Sequence, residues 1–526
     1  MFTNAEGRGW EDKVMTNVIP RRTVMVIFIA LLAAMFLSSL DQSIVSTALP
    51  TIVGELGAVK YEGWIMTAYI LTIAVSMPIY GKLGDMFGRR WPFLIAIAIF
   101  TVGAVFSAIA HSFWFLVVAR AGQGLGGGGL VILSQAIIAD VVSARDRGRY
   151  MGPMGAVFGI ATVAGPLIGG WLTEGPGWRW CFWVDVPVGI AAFTIGWFAL
   201  KIPSHKPAQK FDFLGAILVA LSTVGIIFLT SWSTISADGG WDWRSWKLIS
   251  LAVATAVCIA AFIIVELRAE SPVIPIRFFK QRIFLVSVFI GFVLGIVMFA
   301  ALSYLPTYLQ MSRGVSPVVS GLLMLPLTAG MMITSIGSGF MISHFGRYRI
   351  YPIIGTAITT ATLAWMTMIK AEMSMWLFGS MIFALGLGLG LIMQTIVIAV
   401  QNDVSPAEVG VATAENNFFR EIGGALGTSL FGALFTGRLA NQLSNVISKT
   451  GHPSGLTSDS SLTPKLVAHL PAGAKTDVID AYAHALAPSF WYLVPLSALA
   501  FVASLFMRNK TLSTQAGLTA QGQKIT

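Results

Sequence analysis

Charge is what this sequence has least of. Only 11% of its 526 residues are Asp, Glu, Lys or Arg, against the roughly 25% of an ordinary soluble domain, while 56% are hydrophobic. A water-facing surface cannot be built from so few charges, which excludes a soluble globular fold. Cysteine is scarcer still. Cys181 and Cys258 both lie in apolar stretches, offer neither a disulfide framework nor a thiolate metal site, and read as packing residues. No HExxH pattern and no GxSxG elbow occurs, so the common signatures of a membrane-embedded hydrolase are missing and the chain is not expected to be an enzyme. The glycine run from Gly122 to Gly129 lacks the Lys-Ser/Thr of a phosphate-binding loop and lies inside an apolar stretch. No cofactor and no metal is expected.

Long apolar runs are what the chain does have. A window of about 20 residues, the length a helix needs to cross the hydrocarbon core, picks out fourteen: 23–49, 63–80, 91–110, 113–139, 151–172, 180–200, 213–231, 246–267, 283–309, 318–342, 350–369, 375–400, 411–436 and 490–507. The first is far longer than the apolar core of a cleaved signal and is expected to be retained. The expected organisation is a tail (1–22), a six-helix bundle (23–200), a linker with two inserted helices (201–282), a second six-helix bundle (283–507) with a long external loop at 437–489, and a tail (508–526). With tails this short, an output domain of a receptor is not expected.

The basic excess, 34 Lys and Arg against 24 acids, sits in loops, which argues for a topogenic role and against a nucleic-acid surface. With the N-terminus inside, the internal loops carry fifteen Lys and Arg and the short external loops six, so both termini are placed in the cytoplasm. Apart from Lys247 at the outer edge of its span, which is counted with the external loops, only Arg120 and Arg420 fall within spans. In the external loop, Leu466–Leu470 and Val478–Leu486 are patterned as short amphipathic helices, and His452, His469 and His484 read as solvated residues without ligand spacing.

The sequence Gly81-Lys-Leu-Gly-Asp-Met-Phe-Gly-Arg-Arg90 recurs as Gly339-Phe-Met-Ile-Ser-His-Phe-Gly-Arg-Tyr348, each copy following the second span of its six-helix set. The halves are therefore parallel repeats about an axis along the membrane normal. The first copy resembles the signature loop of the major facilitator superfamily. Leu40-Asp-Gln-Ser-Ile-Val-Ser-Thr-Ala-Leu-Pro50 resembles the first-helix motif of its fourteen-helix drug:proton antiporters, the EmrB/QacA branch, with Thr47 where Asn is usual. Arg120–Gly126 and Gly165-Pro-Leu-Ile-Gly-Gly170 resemble the fourth- and fifth-helix motifs, and Phe182–Gly189 a sixth-helix segment with Asp185 where Asn is usual. The resemblance spans residues 25–507. It implies a multi-pass protein of the bacterial cytoplasmic (inner) membrane that exports lipophilic or cationic compounds against protons by alternating access. The alternative is a same-fold exporter of a dedicated cargo such as a lipid, siderophore, amino acid or endogenous antibiotic. Its partners would be a small-molecule substrate, protons and the bilayer, with no nucleic acid; sodium coupling and a periplasmic accessory protein are left open.

A charge at the centre of a span costs at least about 2.5 kcal/mol on insertion scales. Asp41 lies nine residues before Pro50 and Arg120 nine after His111, which puts both roughly 13 Å below the outer boundary, near the midplane of a ~30 Å core. They are the expected coupling pair, with a static packing ion pair as the competing reading. Glu415, Arg420 and Glu421, in the span 411–436, form a second constellation where the resemblance continues through Asn417–Gly424. Consecutive residues point about 100° apart, so at least one of Arg420 and Glu421 should meet another helix. Glu415, Asp140, Asp185 and Glu266 admit helix-end solvation equally well. The resemblance makes Gly81, Gly84, Asp85, Gly88, Arg89 and Arg90 a conformational latch between the halves, weaker in the second copy where Ser343 replaces Asp85. It makes Gly165, Pro166, Gly169 and Gly170 a hinge; packing alone also explains small residues there. Trp64, Trp114, Trp178, Trp180, Trp241 and Trp243 read as an outer interfacial belt. Tyr304, Tyr308 and Gln394 are cavity candidates.

Overall fold

The computed structural model describes residues 21–58, 61–200, 210–235, 245–450 and 472–514. Trp241, Trp243, His452, His469, the Leu466–Leu470 segment and most of both tails lie outside them. The described residues are almost entirely helical, and each of the fourteen apolar runs is a helix. These are α1 (Arg21–Glu55), α2 (Gly63–Phe87), α3 (Arg90–Ala108), α4 (Phe113–Val141), α5 (Arg147–Glu174) and α6 (Trp180–Ala199, interrupted at Val184). The inserted pair is α7 (Phe213–Ile235) and α8 (Trp246–Glu266). The second set is α9 (Arg282–Arg313), α10 (Pro317–Leu323 and Leu325–Phe345), α11 (Ile350–Met366), α12 (Met375–Asp403), α13 (Val409–Thr450) and α15 (Leu493–Leu505). α14 (Ala472–Ser489) covers Val478–Leu486, packs on α13 and leads straight into α15.

Local chemistry sets the helix ends. Ser112 accepts from the Phe115 amide, and Ser316 from the Val319 amide with Pro317 opening the helix behind it. Gly314 and Gly346 stop their helices in the left-handed region, φ 64° and 69°, where a β-carbon would be strained.

The two sets pack alike. α1 lies against α4, α5 and α6 as α9 lies against α12, α13 and α15; α4 packs on α2 and α3 as α12 packs on α10 and α11; and α3 meets α6 as α11 meets α15. The halves meet along two equivalent crossings, α2 with α13 and α10 with α5. This pairing is the structural form of the sequence repeat. The inserted α7 breaks the equivalence, since it packs on both α2 and α13 and so lies across one crossing only.

Large apolar side chains cover the outside, from Trp246 and Val257 on α8 to Phe340 and Ile333 on α10, as expected of a lipid-facing wall. Trp114 and Trp180 belong to it. Trp178 does not: its ring is buried, and its Nε1 donates to Glu55 Oε2 at 2.7 Å.

Candidate functional site

α4 is buried nearly all round, and its glycines are the reason it can be. A β-carbon at Gly124 or Gly128 would stand 2.4–2.5 Å from the carbonyl oxygens of Tyr69 and Ile73 on α2, and one at Gly126 2.5 Å from the α3 backbone. The run that could suggest a phosphate loop is thus a surface for close helix approach. That approach slides the Tyr69 ring under the one arginine of α4.

Arg120 Nη1 donates to both oxygens of Asp41, at 2.9 and 2.7 Å, with neither side chain exposed. Its guanidinium carbon lies 3.9 Å from the centre of the Tyr69 ring, a cation–π contact in a dry setting. The Tyr69 hydroxyl donates to the Ser38 carbonyl at 3.0 Å, which fixes the ring. Gln123, one turn along α4, accepts from Arg120 Nη1 at 2.7 Å and donates through Nε2 to Asp41 Oδ1 at 3.0 Å and Asp185 Oδ2 at 3.3 Å. Asp185 is fully buried as well, in the first turn of the helix that restarts after Val184. The centre therefore holds two carboxyls and one guanidinium drawn from α1, α4 and α6. Gln123 and Tyr69 are uncharged and were not singled out in the sequence, Gln123 lying only within the fourth-helix motif; Asp185 showed as a departure from a motif and as an acid that helix-end solvation explains equally well.

The Gly81–Arg90 loop is built for a different contact. Gly81 lies against Gly410 and Ala414 with no room for a side chain, its notional β-carbon 2.5 Å from Ala414 Cβ. Asp85 then reaches the start of α13 and accepts from the amides of Gly410 and Val411 at 2.9 and 2.8 Å. It is a helix cap supplied by the other half of the molecule, and a carboxylate so placed gains from the helix dipole. Arg89 holds Asp85 from behind at 3.1 Å and bonds Asp140 at 2.9 Å, both within the first half. Arg90 also stays in the first half, donating to the Trp197 carbonyl at 3.0 Å. Gly84 accommodates Leu133, and Gly88 turns the chain at φ 82°. In the second copy the Ser343 hydroxyl makes one long contact across the halves, 3.5 Å to the Asp146 carbonyl, beside a bond to Gly339 in its own helix, and the reach is reversed: Arg145 donates to the carbonyls of Ser343 and His344.

The α5–α10 crossing is a seam of small residues. Gly148, Gly152, Gly155 and Gly159 follow one face of α5 against Gly339, Ser335 and Thr328 of α10, with hydrogen bonds from Ser335 Oγ to the Gly152 carbonyl and Thr328 Oγ1 to the Gly159 carbonyl. Further along, the four expected hinge residues divide between two neighbours. Gly165 and Gly169 lie against residues 43–47 of α1, just past Asp41, whereas Pro166 and Gly170 lie against Gly321 and Val318 of α10. α5 is helical throughout this stretch.

On α13, Glu415 is fully buried with no hydrogen-bond partner for either oxygen, where an interfacial position was the alternative. Arg420 touches Glu421 at a long 3.4 Å and lies over the Phe158 ring of α5, 5.5 Å from its centre, so it also meets the first half. Asn417 donates to Gln135 Oε1 of α4 at 2.9 Å. Glu266, expected at a helix end, accepts from the amides of Val273 and Ile274 and organises the loop after α8. Of the cavity candidates, Gln394 is buried beside Gly155 with its amide unpartnered, while the Tyr304 and Tyr308 hydroxyls bond the Thr428 and Lys370 carbonyls.

Comparison with known proteins follows the same lines. The family model described as Major Facilitator Superfamily matches residues 31–428. The chain is 31% identical to Multidrug resistance protein 3 of Bacillus subtilis over 519 residues, 96% of this chain and 99% of that one. It is 33% identical to the multidrug transporter protein MdtP of the same organism over 427 residues, 81% of this chain and 77% of that one. It is 36% identical to an MFS-type transporter of Mycobacterium tuberculosis over 488 residues, 93% and 70% of the two chains. In fold it resembles the human organic anion transporter MFSD10, with a TM-score of 0.61 at 14% identity, covering 92% of this chain and all of that one.

Proposed function

This chain belongs to the major facilitator superfamily, a multi-pass membrane transporter and not an enzyme, and on that basis we propose that it exports lipophilic or cationic compounds in exchange for protons. The observation that carries the reading is the Asp41–Arg120 ion pair, fully buried where α1 and α4 meet. A charge pair in the middle of a transporter is costly to keep and is the natural place for a proton to act. The names of some relatives support the substrate class: multidrug transport or resistance in the two from Bacillus subtilis, efflux in one from Dothistroma septosporum.

The basic-residue census puts the Asp85 end of the molecule in the cytoplasm. With Asp85 docked on α13 and Arg145 on α10, the halves are joined at that end, which is the arrangement of a transporter closed inward. In the proposed cycle a proton from outside neutralises the carboxyl site beside Arg120. The α5 segment from Gly165 to Gly170, packed on α1 just past Asp41 and on α10, transmits this to the second half, and the Asp85 contact opens. A cationic compound then displaces the proton on the cytoplasmic side. Arg420, the buried Glu415 and the half-buried Glu421 stand where the second half would respond.

The test is exchange in proteoliposomes with an acidic lumen, following proton efflux on addition of ethidium or tetraphenylphosphonium. Wild type should dequench a lumenal pH dye and Asp41→Asn should not. An equal response from Asp41→Asn would move coupling elsewhere, a response only to a sodium gradient would replace the proton, and no response to any compound of the class would overturn the drug-export reading.

A further inference from the structure

Buried guanidinium groups of this molecule meet carboxyls in three places, and at the centre the clustered carboxyls outnumber the cations. At the loop end, Asp85 and Asp140 face Arg89 and Arg147. On α13, Glu421 faces Arg420. At the centre, Asp41 and Asp185 face Arg120 as the one cation among the described residues. The groups turned toward Asp185 are Asp41 of α1, Arg120 and Gln123 of α4 and, on its own helix, Cys181, whose thiol is engaged with Thr173; Tyr69 of α2 completes the shell around Arg120. None supplies a second cation. Both carboxyls bond the single Gln123 amide nitrogen, at 3.0 and 3.3 Å, which brings the two acids together around one donor. Two carboxylates at that spacing, walled off from water, repel each other by far more than Gln123 returns, and such a pair is stable when it shares one proton.

We propose that Asp41 and Asp185 form one proton-binding site, with the proton held on Asp185 while Asp41 remains paired to Arg120. A proton adds to an Asp185 carboxylate oxygen, the new O–H donates to Asp41, and the centre reaches net neutrality without a change of partner for the arginine. Its release leaves one uncompensated negative charge, the species a cationic compound can neutralise. The occupancy stands on this geometry; its use in exchange rests on the proton-antiport reading above.

The occupancy is measured without any substrate. Attenuated-total-reflection infrared spectra of the purified, reconstituted protein are recorded across a pH titration, with and without carboxyl-13C-labelled aspartate. The expected result is one protonated-carboxyl C=O band near neutral pH that moves on aspartate labelling. That separates it from Glu266, Glu415 and Glu421. The band should vanish in Asp185→Asn, and in Asp41→Asn too, since either change leaves one carboxylate facing one guanidinium. Absence of any band that moves on labelling in wild type overturns the proposal before any variant is made, and a label-sensitive absorption unchanged between wild type and a monodisperse Asp185→Asn overturns it as well. Proton-driven export failing while the band behaves as stated would remove the antiport reading and leave the site.

Discussion

A guanidinium that faces two carboxyls is harder to lose than either carboxyl. Arg120→Gln should lower stability by about 3–5 kcal/mol, the range for breaking a buried pair from one side. Asp41→Asn should cost less, because Asp185 still stands across Gln123 from the arginine. Thermal unfolding of the detergent-purified variants ranks them, and Asp41→Asn falling below Arg120→Gln would contradict the two-to-one arrangement. Asp41 and Arg120 were legible in the sequence because a charge in the middle of an apolar run needs a reason. Tyr69 and Gln123 were not, since a neutral side chain in a span carries little penalty until its neighbours are known. Asp185 lay close to the expected end of its span, where solvation explains an acid equally well; the break at Val184 and its burial appear only with the fold.

Helices in this protein approach one another through residues that leave no side chain in the way, and the tightest approaches are set by single positions. Gly128→Val would drive a branched side chain into the Ile73 carbonyl, 2.5 Å from the first added atom, and should prevent α2 from seating on α4. Fluorescence-detected size-exclusion chromatography should show loss of the monodisperse peak, whereas Gly122→Ala, with open space around it, should leave the peak unchanged. Asp85 is the element-scale counterpart of a salt switch. Asp85→Asn keeps one acceptor for the α13 amides but removes the charge, a change of about 1–2 kcal/mol for a buried helix-terminal carboxylate. It should move the conformational equilibrium toward opening at that end by roughly fivefold to thirtyfold, read as faster thiol labelling of a reporter cysteine on the α13 start. Unchanged labelling would mean that the loop serves topology alone. The helices and the repeated Gly81–Arg90 loop were readable from hydropathy and spacing. The partners of the latch were not, because Gly410 and Val411 contribute backbone amides, which any sequence has.

At the scale of the molecule, two similar halves meet along two equivalent crossings, so a clamp at the loop end of either should arrest turnover. Cysteines at Asp146 and Ser343, bridged by a short bifunctional thiol reagent, should abolish transport with recovery on reduction, while either single cysteine should be silent. Transport that survives complete bridging would exclude relative movement of the halves at this end. The equivalence is incomplete in one respect. α7 lies across the α2–α13 crossing, and no inserted helix lies across the α5–α10 crossing, where Ile160, Ile333 and Phe340 face outward. A compound dissolved among the lipid tails therefore meets a molecule with one shuttered flank and one unshuttered flank. On the export reading, entry by sideways diffusion would be confined to the unshuttered one, and membrane composition next to α5 and α10 would become a variable of transport in its own right.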